Sequence, residues 1–253
     1  RQSHVDAVIN GGDMLPRGGD LFSTQSAFIS GFLDTHLSRY DEAGIPFLCL
    51  LGNDDLAALD SAFQAVLARH PRSVNLARQT ASIGGFTFIG MNLVCDYPFR
   101  LKDRCRMDRE GFAFPEQFGT ALYSLPGGGF REIVDWEAHA RSLPTIEDEC
   151  AGLPIPPDPA KTVYVMHMPP ASIGLDVCLD GRQVGSRAIH DFLKYRAPRL
   201  SLHGHIHESP DVSKTWRSRI GETTAIQPGQ GRDLRYVALH LESMRAEHRT
   251  VAV

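Results

Sequence analysis

The stretch Leu202-His203-Gly204-His205-Ile206-His207-Glu208 sets three imidazoles at alternate positions beside a glycine. Alternate residues of an extended segment point the same way, and imidazole is the commonest protein ligand for first-row divalent metals. The spacing therefore predicts two or three ligands converging on one place, with a histidine-rich surface turn as the plain alternative. Choosing between them requires further ligands elsewhere in the chain, at positions a fold can bring close.

Working outward, Leu200-Ser201-Leu202 is the strand that runs into this cluster. Residues 162–166 form a buried apolar run ending at His167, ahead of Met168-Pro169-Pro170. Nearer the N-terminus, residues 47–51 run into Gly52-Asn53-Asp54-Asp55, and residues 6–10 into Gly11-Gly12-Asp13. After the first of these strands, Leu21, Phe22, Phe28, Ile29, Phe32, Leu33, Leu37 and Tyr40 recur at helical spacing until Gly44-Ile45-Pro46. A second helix follows over residues 56–70, closed by Pro71. A strand-loop-helix unit repeated in this way predicts parallel strands joined by right-handed crossovers.

Residues 73–76 and 85–91 read as further strands, 130–141 as a helix, and 186–196 as a helix with Ser186 as its N-cap. The C-terminal runs 223–226, 236–241 and 244–251 are rich in strand formers and are expected to be antiparallel. Residues 92–129 are irregular, and the charged run 100–110 reads as a solvated insertion. With no repeat and no linker, residues 1–253 are expected to form a single domain.

Composition narrows the function. A hydrophobic fraction of 42% with 22% charged residues is ordinary for a globular chain. No run approaches the ~18 apolar residues of a membrane span. A formal charge of -4, from 26 Lys+Arg against 30 Asp+Glu, gives no general attraction to nucleic acid. The five cysteines, Cys49, Cys95, Cys105, Cys150 and Cys178, are odd in number and contain no Cys-x-x-Cys pair. That argues against a disulfide framework and favours a reducing cytoplasm. Oligomeric state is left open.

Asp13, Asn53, His167, His205 and His207 thus fall just past four strand ends, and in open α/β sheets sites form beyond the carboxyl ends of strands. Singly each has a simpler reading: a turn capped by an Asp, a helix cap, a satisfied core histidine. Jointly they make a set of carboxylate, amide oxygen and imidazole donors suited to manganese, iron or zinc. Two such ions can bind both non-bridging oxygens of a phosphate and activate a water.

The order Gly12-Asp13, Gly52-Asn53, His167 and Gly204-His205-Ile206-His207 resembles the calcineurin-like metallophosphoesterase family. Its blocks are Asp-x-His, Gly-Asp, Gly-Asn-His-(Asp/Glu), a lone His and Gly-His-x-His, and four of the five are matched. The run from Gly185-Ser186-Arg187-Ala188-Ile189 to Gln227-Pro228-Gly229-Gln230 is similar to Icc-like phosphoesterases related to class III cyclic-nucleotide phosphodiesterases. The resemblance implies a four-layer αββα sandwich with two mixed sheets. It also implies that Asp13 bridges two divalent metals, that Asn53, His167 and His205 complete one ion, and that His207 binds the other.

Two departures accompany the match. The Asp-x-His block is absent, so the resemblance leads us to expect a strand carrying it ahead of Arg1, missing from this chain; His4-Val5-Asp6 cannot replace it, because Asp6 opens the strand that Asp13 follows. Asp54 stands where the family commonly has a histidine acting on the leaving group, and nearby cations would keep a carboxylate there ionised. Asn53 and Asp54 are the expected catalytic positions, with helix capping the alternative for Asp54. His203 is expected to support the cluster rather than ligate. The implied activity is hydrolysis of a small phosphodiester by a metal-activated hydroxide at a dinuclear site. Its rivals are a phosphomonoesterase and a non-catalytic binding module such as the retromer subunit of this fold.

Overall fold

A computed structural model describes residues 5–252, so the expected strand ahead of Arg1, and His4, lie outside the described residues. Strands β1 (Val8–Asn10), β2 (Phe47–Cys49) and β3 (Ser73–Asn75) pair in parallel in that order, with Val8 opposite Phe47 and Phe47 opposite Ser73. The first crossover is α1 (Leu21–Ala27) and α2 (Asp34–Ala43), joined through a wider π-turn at Phe28–Leu33. Gly44 ends it in the left-handed conformation at φ 71°, where a side chain would be strained. The second crossover is a 3₁₀ turn at Ala57–Leu59 running into α3 (Asp60–Leu67).

The other sheet has six strands. Its parallel centre is β5 (Phe86–Met91), β8 (Thr162–Met166), β9 (Leu200–Leu202) and β11 (Thr223–Ile226). Antiparallel edges are added by β4 (Ala81–Ile83) beside β5 and β10 (Arg217–Ile220) beside β11. The hydrophobic alternation shows how the layers stack. On β2 and just beyond, Phe47, Cys49 and Leu51 pack with Ile29, Leu33, Leu37 and Phe63 of the first helical layer. Leu48 and Leu50 face the opposite way, into a cluster with Phe86, Phe88, Val163, Val165, Leu200 and Ile226 between the sheets.

The same period of two divides the second sheet. Ile89, Met91, Tyr164 and Met166 face a second helical layer, where they meet Ala140, Ile146, Cys150, Ile189 and Leu193. That layer is α4 (Trp136–Arg141), α5 (Ile146–Ala151) and α6 (Arg187–Arg196), the last N-capped by Ser186. The order helix, sheet, sheet, helix is the expected sandwich, although the three-stranded sheet is wholly parallel among the described residues. The hairpin β12–β13 (Leu234–His240, Arg245–Val251) covers the inter-sheet core through Val237, Leu239 and Ala246.

Three expectations fail. The run 223–226, expected to be antiparallel, pairs in parallel with β9 on one side and antiparallel only with β10 on the other. Residues 130–141 are not one helix: β6 (Leu122–Ser124) pairs with β7 (Phe130–Glu132), and α4 begins only after Asp135, whose side chain accepts from the Ala138 N–H. The charged run 100–110 is not a solvated insertion either, since Lys102, Asp103, Arg104 and Asp108 are all buried.

Each of these charges has fixed partners, as burial demands. Lys102 donates to the Tyr97 and Phe99 carbonyls. Asp103 accepts from the amides of Ala57 (2.9 Å) and Ser124 (2.8 Å). Arg104 reaches the Gly52 carbonyl (2.9 Å) and Asp60 (2.6 Å). Asp108 accepts from the Ser186 hydroxyl (2.5 Å) and the Arg187 amide (3.0 Å) at the start of α6. No helix among the described residues is long and apolar enough to cross a membrane.

Candidate metal centre

Five side chains meet at the carboxyl ends of strands from both sheets. Asp13 follows β1, Asn53 follows β2, His167 follows β8, and His205 and His207 follow β9. The Asn53 amide oxygen lies 2.9 Å from His167 Nε2 and 2.7 Å from His205 Nδ1. Asp13 Oδ2 lies 3.3 Å from both His167 Nε2 and His207 Nε2. All the residues singled out from the strand ends are thus brought together, and Asp13, His167 and His205 present atoms close enough to share one cation.

Glycines make this approach possible. A Cβ on Gly12 would sit 2.4 Å from His167 Nδ1, and one on Gly52 would sit 2.2 Å from Asp13 Oδ1, so neither position has room for a side chain. Asp13 and His205 themselves adopt left-handed backbones, at φ 53° and φ 67°, conformations that persist in non-glycine residues only when the surroundings enforce them. The enforcing contacts can be named. Buried Asp55 accepts from the amides of Leu15 (2.9 Å) and Gly52 (2.7 Å), tying the loop after β1 to the loop after β2. Burial and the neighbouring Asp13 charge push the Asp55 carboxyl up to about 6. Buried Gln25 of α1 donates to the Asp54 carbonyl (2.9 Å) and accepts from the Leu56 amide (3.0 Å). The Gly204 amide donates to the His167 carbonyl (3.0 Å), and the Gln227 side chain holds the Ile206 carbonyl.

Burial alone would raise the Asp13 carboxyl, but His167 beside it and the Asp54 N–H on Oδ1 (3.0 Å) outweigh that and hold it far below the usual carboxylate range. His167 is raised in turn, because the Asp13 charge overcomes the opposing effect of its burial. Asp13 Oδ2 and His205 Nε2 are buried without a hydrogen-bond partner. An unpaired carboxylate oxygen is costly to bury, and here it faces two imidazole nitrogens. Donors of this kind, arranged in this way, fit a borderline divalent ion.

The remaining predicted positions separate by role. His203 is turned into the core, with Nδ1 3.0 Å from the Met166 and Met168 carbonyls and Nε2 2.9 Å from the Ser201 hydroxyl. Asp54 does not cap a helix. Its carboxylate takes Arg17 at 2.9 Å and the Asn53 amide at 3.2 Å, while the helix start at Ala57 is capped by Asp103 and Ser124. Burial and then Asp13 raise the Asp54 carboxyl, against the pull of Arg17.

Asp96 went unrecognised in the sequence. Its Oδ2 lies 3.4 Å from His205 Nε2, with a side chain only 8% exposed. It belongs to the irregular region, and no strand-end pattern announces it.

The chain has relatives of known structure. It resembles a solved structure of the protein TT1561 from Thermus thermophilus, with a TM-score of 0.52 and 17% identity over 97% of this chain and 86% of that one. A further solved structure shares the fold at a TM-score of 0.53, with 18% identity over 91% of this chain and 75% of its own. No curated protein matches. The sequence profile of the calcineurin-like phosphoesterases, a family of metal-dependent phosphoester hydrolases, matches residues 1–209, and the chain belongs to that family.

Proposed function

We propose that the protein hydrolyses phosphoesters, diesters in preference to monoesters, at a dinuclear centre of manganese, iron or zinc. The observation that carries this reading is the convergence of Asp13, Asn53, His167, His205 and His207 around the unpaired Asp13 Oδ2. Asp13 would bridge the ions, Asn53, His167 and His205 would complete one of them, and His207 would hold the other. When bound, such ions polarise phosphoryl oxygens and lower the pKa of a water at the site.

The chain's own groups prepare that chemistry. His167 Nδ1 is anchored on the Gly11 carbonyl at 2.7 Å, which leaves Nε2 facing the centre. Asn53 and Asp54 are the catalytic positions in this reading. Asn53 contributes its amide oxygen, and Asp54, which burial and Asp13 raise on their own, would be held ionised by bound cations together with Arg17 and so would not supply a proton to the leaving group. Esters with good leaving groups are therefore favoured substrates. The substrate is a small phosphoester, and five free thiols, four of them buried, fit a reducing compartment such as the cytoplasm.

The test is turnover of bis-p-nitrophenyl phosphate and p-nitrophenyl phosphate with added manganese, beside His205→Ala. We expect metal-dependent release from the diester and a loss of at least roughly a hundredfold in the variant. Hydrolysis of the monoester alone would replace diester by monoester specificity. Turnover of neither ester would leave the fold as a binding module.

A further inference from the structure

We propose that His70 is a pH-sensitive tie within the first helical layer: a protonated imidazole whose two nitrogens hold two carboxylates of α2, one of which is released when the ring loses its proton. The tie lies at the amino ends of the strands, just before Ser73 opens β3, and does not depend on the centre at their carboxyl ends.

The geometry decides the protonation state. His70 closes the turn that follows α3, and its side chain is only 7% exposed. Nδ1 lies 2.7 Å from Asp41 Oδ2, and Nε2 lies 2.9 Å from Asp34 Oδ1. Asp34 and Asp41 stand seven residues apart in α2, so two turns of helix present both on one face. An ionised carboxylate only accepts, whereas a neutral imidazole carries one N–H and one lone pair. A neutral ring would therefore aim its lone pair at one of the two carboxylates. Only the imidazolium donates to both at once.

The surrounding charges favour that state. From α2 come Asp34 and Asp41. From the segment of His70 itself come Arg69, with Nη2 2.8 Å from Asp34 Oδ1, and Arg72, whose backbone amide meets Asp41 at 3.2 Å. Burial disfavours the charged ring, but the two carboxylates outweigh it and raise His70 above the ordinary 6.5. Asp34, bonded to His70 and Arg69, is lowered in turn, so it stays ionised while the ring titrates. A base raised by folding lends stability that is complete below 6.5 and is lost as pH climbs through the folded value.

The release has a direction. Asp41 makes the shorter contact and is the less exposed partner, 22% against 35% for Asp34. The neutral ring therefore keeps Nδ1–H on Asp41 and frees Asp34, which retains Arg69. Asp34 is the residue at which the wide turn Phe28–Leu33 returns to α geometry. Loss of one proton thus unfastens the first crossover at its irregular point.

The experiment is a proton–nitrogen NMR titration of the imidazoles in the full chain, beside Asp34→Asn, Asp41→Asn and His70→Gln, with urea unfolding of each at pH 6 and pH 9. His70 should carry protons on both nitrogens at pH 6, titrate above 6.5 and keep Nδ1–H once neutral. Each Asn substitution should lower its midpoint. The ratio of unfolding constants between His70→Gln and wild type should shrink severalfold from pH 6 to pH 9. If His70→Gln does not fold, the resonance is the one that both Asn substitutions move, and the wild-type titration decides. A midpoint at or below 6.5, a midpoint left in place by either Asn substitution, or a stability ratio independent of pH would overturn the proposal.

Discussion

Three histidines within five residues occupy three different environments, and their second nitrogens make the difference. His203 spends both on core oxygens, and burial lowers its pKa to about 4, so it stays neutral and unavailable. His207 faces Asp13 on one side and Arg17 on the other. His205 turns Nδ1 toward Asn53 and Nε2 toward Asp96. A carboxylate this close to a ligating imidazole, though at 3.4 Å not hydrogen-bonded to it, orients the ring by its charge, and loss of such partners typically costs ten- to hundredfold in metal affinity. Asp96→Asn should therefore weaken manganese binding by about tenfold, read by calorimetry. An unchanged affinity would make the Asp96 contact incidental to the site.

At the scale of elements, the region between β5 and β8 is the informative one. It supplies Asp96 to the centre, caps the helix start at Ala57 through Asp103 and Ser124, and holds the Gly52 carbonyl through Arg104. The loop that carries Asn53 is thus clamped from outside its own strand-helix unit. Arg104→Ala leaves the Gly52 carbonyl with only the long contact from the Asp55 amide (3.4 Å) and Asp60 with only Arg78 at 3.9 Å. Breaking a buried pair by removing one member costs about 3 kcal/mol. Urea unfolding should show a loss of that order, accompanied by weaker manganese binding because Asn53 loses its support. A stability loss with manganese affinity intact would mean that the clamp serves the fold alone.

Across the whole molecule, the centre joins two sheets whose facing surfaces pack through apolar side chains. Asp13 and Asn53 come from the three-stranded sheet, and His167, His205 and His207 from the six-stranded one. An ion shared between them binds the folded state alone, so manganese at a hundred times its dissociation constant should add about 2.7 kcal/mol. The melting temperature should rise with manganese and fall back with a chelator. A melting temperature that ignores manganese would count against the site. The strand-helix order was legible in the chain, because apolar runs such as 47–51 and 162–166 and the helical spacing between them are local patterns; the layering was implied by the family resemblance, and the structure shows the period of two by which each run divides its faces. The positions past each strand end were legible for the same reason, since a strand's end and the turn residues after it are local properties. What the sequence by itself determined is therefore the strand-loop-helix order and the five residues past its strand ends, with the sandwich implied by the family resemblance those residues carry. The tertiary structure alone decided that the charged run 100–110 is buried, that Asp96 backs His205, and that Arg17 stands at the mouth beside Asp54. A charge reads identically in sequence whether water or a distant partner satisfies it, and only folding brings together residues as far apart as 17 and 207.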